Sequence, residues 1–253
     1  MTLEKSAVPA IDRADKILHI LAESSRPVRP TELAKLSGLA KSTLYLLLDS
    51  LEQRHWIEKK DDGYIMGIGL YILGTAYVRH DGLQNAFRAV ASSFVDEHNE
   101  VVQLAVLDGT EVVYLAREDA RRPVRLVSDI GMRLPAHACA LGKALLARFS
   151  DTEILRLLPA RLTPISDRTI TKRDLLLLEL EEVRKTGLGR DREEVTTGLV
   201  CFAVYAGETP LGKKIAISTS IPTDRLDTQR EKSIIQGIVK VANQISTRLA
   251  VRY

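Results

Sequence analysis

Apolar positions recur along the first quarter of the chain with the period of helices and then switch to the period of strands. Ile11, Ala14, Leu18 and Leu21 fall at i, i+3, i+7 and i+10, one stripe of an amphipathic helix. Arg26-Pro27-Val28-Arg29-Pro30 ends it and leads into TELAKLSG, where Leu33 and Leu36 are expected to face inward and Gly38 to stop the helix. A third helix is predicted over residues 41–54, because Leu44, Leu47, Leu48 and Leu51 hold i, i+3, i+4, i+7 spacing. Residues 57–60 then read as a strand, 61–63 as a turn and 64–66 as the partner strand.

Residues 68–80 carry Leu70, Ile72, Leu73, Ala76 and Tyr77, apolar groups spread around much of a helix's circumference. Such a helix must be buried, and one lying between two small domains buries best against a second copy of itself. A dimer contact is expected there. Beyond it, Leu83, Phe87, Val90 and Phe94 mark another amphipathic helix, followed by strand-like runs at 101–107, 111–116 and 123–127. Asp108-Gly109-Thr110 between the first two is a hairpin signal. Helices are expected at 139–149, 151–158 and 172–186, the last opened by a capping box of Thr171 and Asp174. Strands return at 199–206 and 213–220 around a glycine-flanked turn, and a final helix carries Ile234, Ile238, Val241 and Ile245. The fold class is α+β, with domains at 1–67 and 83–253 joined by a helix at 68–82, and an antiparallel sheet covered by helices in the second.

Composition changes this picture little. The 253 residues are 45% hydrophobic and 27% charged, and no window approaches the roughly 18 unbroken apolar residues of a membrane span. The first ten residues lack an apolar signal region, so a cytoplasmic protein is expected. Cys139 and Cys201 stand far apart in apolar stretches; they read as buried small hydrophobes, with neither disulfide nor zinc spacing. No metal or cofactor is expected. The net charge of +3 permits nucleic-acid binding, but residues 1–67 hold about ten charges of each sign, so only a motif can argue for DNA.

That motif is the order helix, helix, tight turn, helix and hairpin, which is the order of a winged helix-turn-helix. The inward leucines of the third helix leave Ser42, Tyr45, Leu46 and Asp49 on the opposite face. Lys41, Ser42 and Thr43 fall in its first turn, where backbone N–H groups and short polar side chains suit phosphate oxygens. Tyr45 can hydrogen-bond a phosphate and Leu46 can lie against a thymine methyl. Operator DNA is the expected partner. A rival enzyme reading would use Cys201 or Cys139 as nucleophile, His137 as base and Asp191 as orienter. It lacks any nucleophile elbow, phosphate loop or metal motif, and no enzyme is expected. A winged helix that docks on protein, or a DNA-binding protein that takes no ligand, would also fit the order of elements.

The run TELAKLSGLAKSTLYLLLDSLEQRHWIEKKDDGYIMG resembles the DNA-binding domain of IclR-type regulators. DIGMRLPAHACALGKALLA, GLGRDREEVTTGLVCFAVYA and IAISTSIP resemble that family's effector domain, in the right order and over nearly the whole chain. The resemblance implies a winged helix-turn-helix, a linker helix and a GAF-like sensor domain, acting as a homodimer or homotetramer on operator DNA. It further implies a repressor or activator of a catabolic operon that senses a small organic acid or aromatic carboxylate. The pocket it implies is lined by Ala140, Leu141, Asp191, Leu199, Cys201, Ser218 and Ser220. Ser218 and Ser220, at i and i+2, share one face of their strand, although by alternation alone that face could be the outward one. The helix start near Cys139 would offer its positive end to an anion. Asp191 would repel a bare carboxylate unless protonated or screened by a donor. The chain departs from the family at Leu46, where arginine is frequent, at His55-Trp56, and at Cys139, where a small hydroxyl residue is common.

Overall fold

The computed structural model describes residues 6–81, 83–121, 128–209 and 212–250. It divides into two compact units, Met1–His80 and Asp81–Tyr253.

The first unit opens with α1 (Pro9–Ala22), α2 (Pro30–Ser37) and α3 (Lys41–Glu52). Proline begins both α1 and α2, where its missing N–H is no loss. Gly38, at φ 68°, closes α2 in the left-handed conformation that glycine adopts without strain. The strands β1 (Ile57–Lys60) and β2 (Gly63–Met66) form an antiparallel hairpin. Val28 adds a third rung, exchanging both backbone hydrogen bonds with Tyr64 at 2.9 Å. Ile17, Leu21, Leu33, Leu44, Leu48, Leu51, Ile57 and Tyr64 make the core.

Two inward positions differ from the sequence expectation. Ile11 and Leu36 are exposed. On α1 the 3.6-residue period carries the buried stripe to Ile17 and Leu21, with Ala14 and Leu18 at its flank. On the two-turn α2 the inward partner of Leu33 is Ser37 at i+4, not Leu36 at i+3. The helix α4 (Ile68–Asp81) follows the hairpin and keeps Ile68, Tyr71, Ile72 and Leu73 exposed.

The second unit is a six-stranded antiparallel sheet between two helical layers. Its strands are β3 (Val101–Asp108), β4 (Glu111–Glu118), β5 (Arg133–Pro135), β6 (Leu188–Arg192), β7 (Leu199–Glu208) and β8 (Lys214–Pro222), in the order β5-β4-β3-β8-β7-β6. Alternation along each strand separates the faces. Leu104, Val106, Phe202, Ile215 and Ile217 meet α5 (Leu83–His98) and α9 (Thr228–Ala250). Ala105, Tyr114, Ala203 and Ala216 lie under α6 (Ala140–Leu146), α7 (Asp151–Leu157) and α8 (Arg173–Thr186). Gly109, at φ 60°, turns the β3–β4 hairpin. The strand expected at 123–127 lies outside the described residues.

The capping box expected of Thr171 and Asp174 does not form, because α8 starts one residue later, with Lys172 at its N-cap and no side-chain cap. The Thr171 carbonyl instead accepts from the Leu162 N–H at 2.8 Å. A complete capping box opens α7, where Ser150 and Glu153 exchange side-chain to backbone bonds.

Helix α6 packs at backbone distance on both sides. A Cβ at Gly142 would collide with the Ala136 carbonyl oxygen, and one at Gly189 would collide with that of Ala140. The Gly142→Ala substitution is therefore expected to cost about 3 kcal/mol in urea unfolding, since backbone must move to admit the methyl. Gly109→Ala, with open space around it, should cost only about 1 kcal/mol through its positive φ. Equal losses at the two sites would contradict the close-packing account.

Candidate functional site

The first candidate surface is the outer face of α3. With Leu44, Leu48 and Leu51 buried, Lys41, Ser42, Tyr45, Leu46 and Asp49 are exposed, Leu46 by 70%, and Thr43 is half-buried. No side chain caps the start of α3, and its first turn holds no acid, so its leading N–H groups point outward unspent. Cationic Lys41 and the hydroxyls of Ser42 and Thr43 stand at the same end. Such an end accepts phosphate oxygens, and the exposed Tyr45 and Leu46 form a ridge that can meet base edges. The cationic side chains Lys59 and Lys60 are exposed on the hairpin.

The second candidate is a cavity in the other unit, at the N-terminal end of α6. Strand register builds its floor. One cross-strand row runs Val101–Ser220–Cys201–Asp191 and the next Gln103–Ser218–Ala203–Gly189, over β3, β8, β7 and β6. Both rows face α6, so Ser218 and Ser220 point into the domain and are buried. Cys139 caps α6 through its sulfur, which accepts the Gly142 N–H at 3.4 Å. Ala140, Leu141, Asp191, Leu199, Cys201, Ser218 and Ser220, the seven residues expected from the sequence, all line this cavity. Gln103, Tyr114 and Ser128 line it too, outside that set. Gln103 is legible as the one polar residue inside VVQLAVL; it donates to Ser128 Oγ at 2.9 Å.

The cavity is tight: about 30 Å³ of it admits the centre of a water molecule. Room of that size holds roughly two waters, so a bound organic molecule would replace them and press on the lining. The polar groups are hydroxyls, thiols, one carboxamide and one carboxylate. Cys201 Sγ lies 3.1 Å from Ser220 Oγ. Asp191 accepts the Glu194 N–H at 2.6 Å, and burial lifts its pKa to about 6. Burial likewise pushes the Cys139 thiol up to about 12 and the Cys201 thiol well above its ordinary value. Both sulfurs are thus held as thiols, poor nucleophiles.

His137 is not among the residues lining the cavity. Its Nε2–H donates to the Thr163 carbonyl at 2.9 Å, and burial lowers its pKa, so it braces the loop as a neutral ring. Next to Asp191, Glu194 and the fully buried Lys143 of α6 form an ion pair at 2.5 Å, and Glu179 reaches Lys143 at 3.4 Å. Glu193 pairs with Arg168. Among the described residues no cluster of histidine, cysteine and carboxylate side chains could hold a metal ion, and no helix is long and apolar enough to cross a membrane.

Two family profiles match the chain. One, the IclR helix-turn-helix domain, covers residues 10–61; the other, the bacterial transcriptional regulator IclR C-terminal domain, covers residues 75–247. The HTH-type transcriptional regulator BhcR of Paracoccus denitrificans is 30% identical over 98% of this chain and 90% of its own length. The crystal structure of Thermotoga maritima IclR superposes with a TM-score of 0.76 at 26% identity, covering 94% of this chain and 98% of that one. An IclR homologue of Microbacterium hydrocarbonoxydans, complexed with 4-hydroxybenzoate, has the same fold, with a TM-score of 0.83 at 21% identity over 96% and 99% of the two chains. Matched along nearly its whole length, the chain belongs to the IclR family of bacterial transcriptional regulators.

Proposed function

We propose that this regulator binds operator DNA through residues 1–67 and binds a small organic acid or aromatic carboxylate in the cavity of residues 83–253. The observation that carries the reading is the convergence of Asp191, Cys201, Ser218 and Ser220 from three strands, with Ala140, Leu141 and Leu199, around one buried polar cavity. Two buried serines, a glutamine and an aspartate on adjoining rows are more polar groups than an apolar core needs, and beyond the bonds that Gln103, Ser220 and Asp191 already make they keep donor and acceptor capacity facing the cavity. A ligand offering hydroxyl and carboxyl groups supplies partners for them. The 4-hydroxybenzoate complex of the Microbacterium hydrocarbonoxydans homologue supports an acid of that class. A cytoplasmic sensor of a growth substrate, controlling a catabolic operon as repressor or activator, fits this chemistry.

On the DNA, Lys41, Ser42, Thr43 and Tyr45 would hold phosphates while Leu46 and Asp49 face the groove, Asp49 as an acceptor for a cytosine amino group. Residues 68–82 form the linker and pair two copies. Supporting that role, Tyr71 is 69% exposed, Ile72 58% and Leu73 56%, an apolar surface that water does not tolerate cheaply. Pairing sets the spacing of two α3 helices to half-sites about one helical turn, or a multiple, apart. Effector binding would alter that spacing through the linker, and a tetramer would be built from two such dimers.

Three measurements test the reading. The Leu73→Glu substitution is expected to yield monomers in sedimentation, and undiminished dimers would remove α4 from the interface. A thermal-shift screen against small organic acids and aromatic carboxylates should find a stabilising ligand, by about 2.7 kcal/mol at one hundred times its Kd. The Ser218→Ala, Ser220→Ala double variant should abolish the shift; a shift that survives it places the ligand elsewhere. Operator affinity should fall steeply with salt, and Lys41→Ala should reduce the slope by about one. A salt-independent affinity would instead favour a protein-docking winged helix.

A further inference from the structure

Asp191 is the one carboxylate among the described residues lining the cavity, and none of those residues is a lysine, arginine or histidine. The ammonium group beside it is already committed. Lys143 Nζ lies 2.5 Å from Glu194 Oε1 and 3.4 Å from Glu179 Oε1, and Arg192 also pairs with Glu179 at 3.2 Å. Glu194 is joined to Asp191 through its own N–H. Facing Asp191 are thus Glu194, the paired Lys143, the Cys139 and Cys201 thiols and the Tyr114 phenol, while His137 faces the Lys143–Glu194 pair. Burial raises the thiols and the phenol, so they stay protonated near neutral pH. With Asp191 ionised, three carboxylates (Asp191, Glu194 and Glu179) against Lys143 and Arg192 leave this corner with a surplus negative charge.

A further carboxylate brought into that corner cannot coexist with an ionised Asp191, because two buried acids sharing a site retain one proton between them. Resting on the effector reading above, we propose that a carboxylate effector enters this cavity together with one proton from solvent, carried on the Asp191 carboxyl, which then donates to the effector's carboxylate. Asp191 is the specificity-determining residue. Lys143 and Glu194 are positioning residues that hold it through the Glu194 N–H. The regulator therefore responds to the product of effector and proton concentrations, and its operator occupancy shifts with internal pH at fixed effector.

The test uses the full-length chain and 4-hydroxybenzoate, benzoate and lactate, all ionised across pH 5.5–8, with uncharged 4-hydroxybenzamide as control. Calorimetric titrations in two buffers of different ionisation enthalpy should show uptake of close to one proton per acid bound at pH 8. Affinity for the acids should fall about tenfold per pH unit above the Asp191 midpoint near 6, and affinity for the amide should not. The Asp191→Asn variant should flatten the acid profile. It should also lose less stability than the wild type as pH rises from the ordinary carboxylate range through 6, since a raised carboxyl pKa makes the folded chain weaker once that group must ionise. Should that variant fail to fold, the wild-type buffer dependence decides by itself. An acid bound with pH-independent affinity and no proton uptake overturns the proposal and leaves the effector reading standing. Failure of every acid to bind at any pH overturns both.

Discussion

Helix α6 rests on the sheet at backbone distance, and the cavity exists because of that contact. Gly189 and Gly142 leave no room for a side chain between α6 and its neighbours, while Ala203, Ala216 and Ala105 keep the adjoining floor low. The helix can therefore sink onto β6, β7 and β8. Where it begins, at Cys139, the same strands continue into the next row with Ser220, Cys201 and Asp191, larger and polar. Small residues beneath the helix and polar ones just beyond its end turn an ordinary helix-on-sheet contact into a lined recess. The antiparallel register is what aligns them, since slipping any strand by one residue would send its polar set to the α5–α9 face.

Much of this is legible in the sequence, and the remainder is not for identifiable reasons. Long periodic segments such as α3, α5 and α9 announce themselves, because a whole face must stay apolar over several turns. Ile11 and Leu36 mislead because a few turns of helix cannot distinguish i+3 from i+4. The edge strands β5 and β6 carry no clear strand signal, one being three residues long and the other holding Arg190 and Arg192 where a buried strand would carry apolar groups. At the cavity, Ser218 and Ser220 can be paired by their spacing alone. Gln103 joins them only through the pairing of β3 with β8, and Tyr114 only through the pairing of β4 with β3, and cross-strand register is not a local property of any one segment. Lys143 stands in plain view within ALGKALLA, yet a lysine in a short helix reads as solvated until the helix is found buried on all sides.

The buried charges around Lys143 depend on one another. A fully buried ammonium survives only where carboxylates surround it, and removing one partner is far more costly than never having had the pair. Glu194 serves twice, its carboxylate holding Lys143 and its N–H holding Asp191. Ser166 and Thr169 bind the Glu194 carbonyl at 3.0 and 2.6 Å, tying this loop to the segment before α8. The cavity wall is thereby part of a connected polar network rather than a free loop.

An acid in the effector cavity and DNA on α3 should influence each other if the proposed function holds. Thermodynamic linkage makes that coupling reciprocal, so it can be measured from either side. The most direct measurement is the calorimetric affinity of the full-length protein for its acid effector, with and without a saturating operator duplex. A change of about fivefold or more, matched by the same factor in operator affinity when the acid is saturating, is the predicted result. Identical effector affinities on free and operator-bound protein would contradict it.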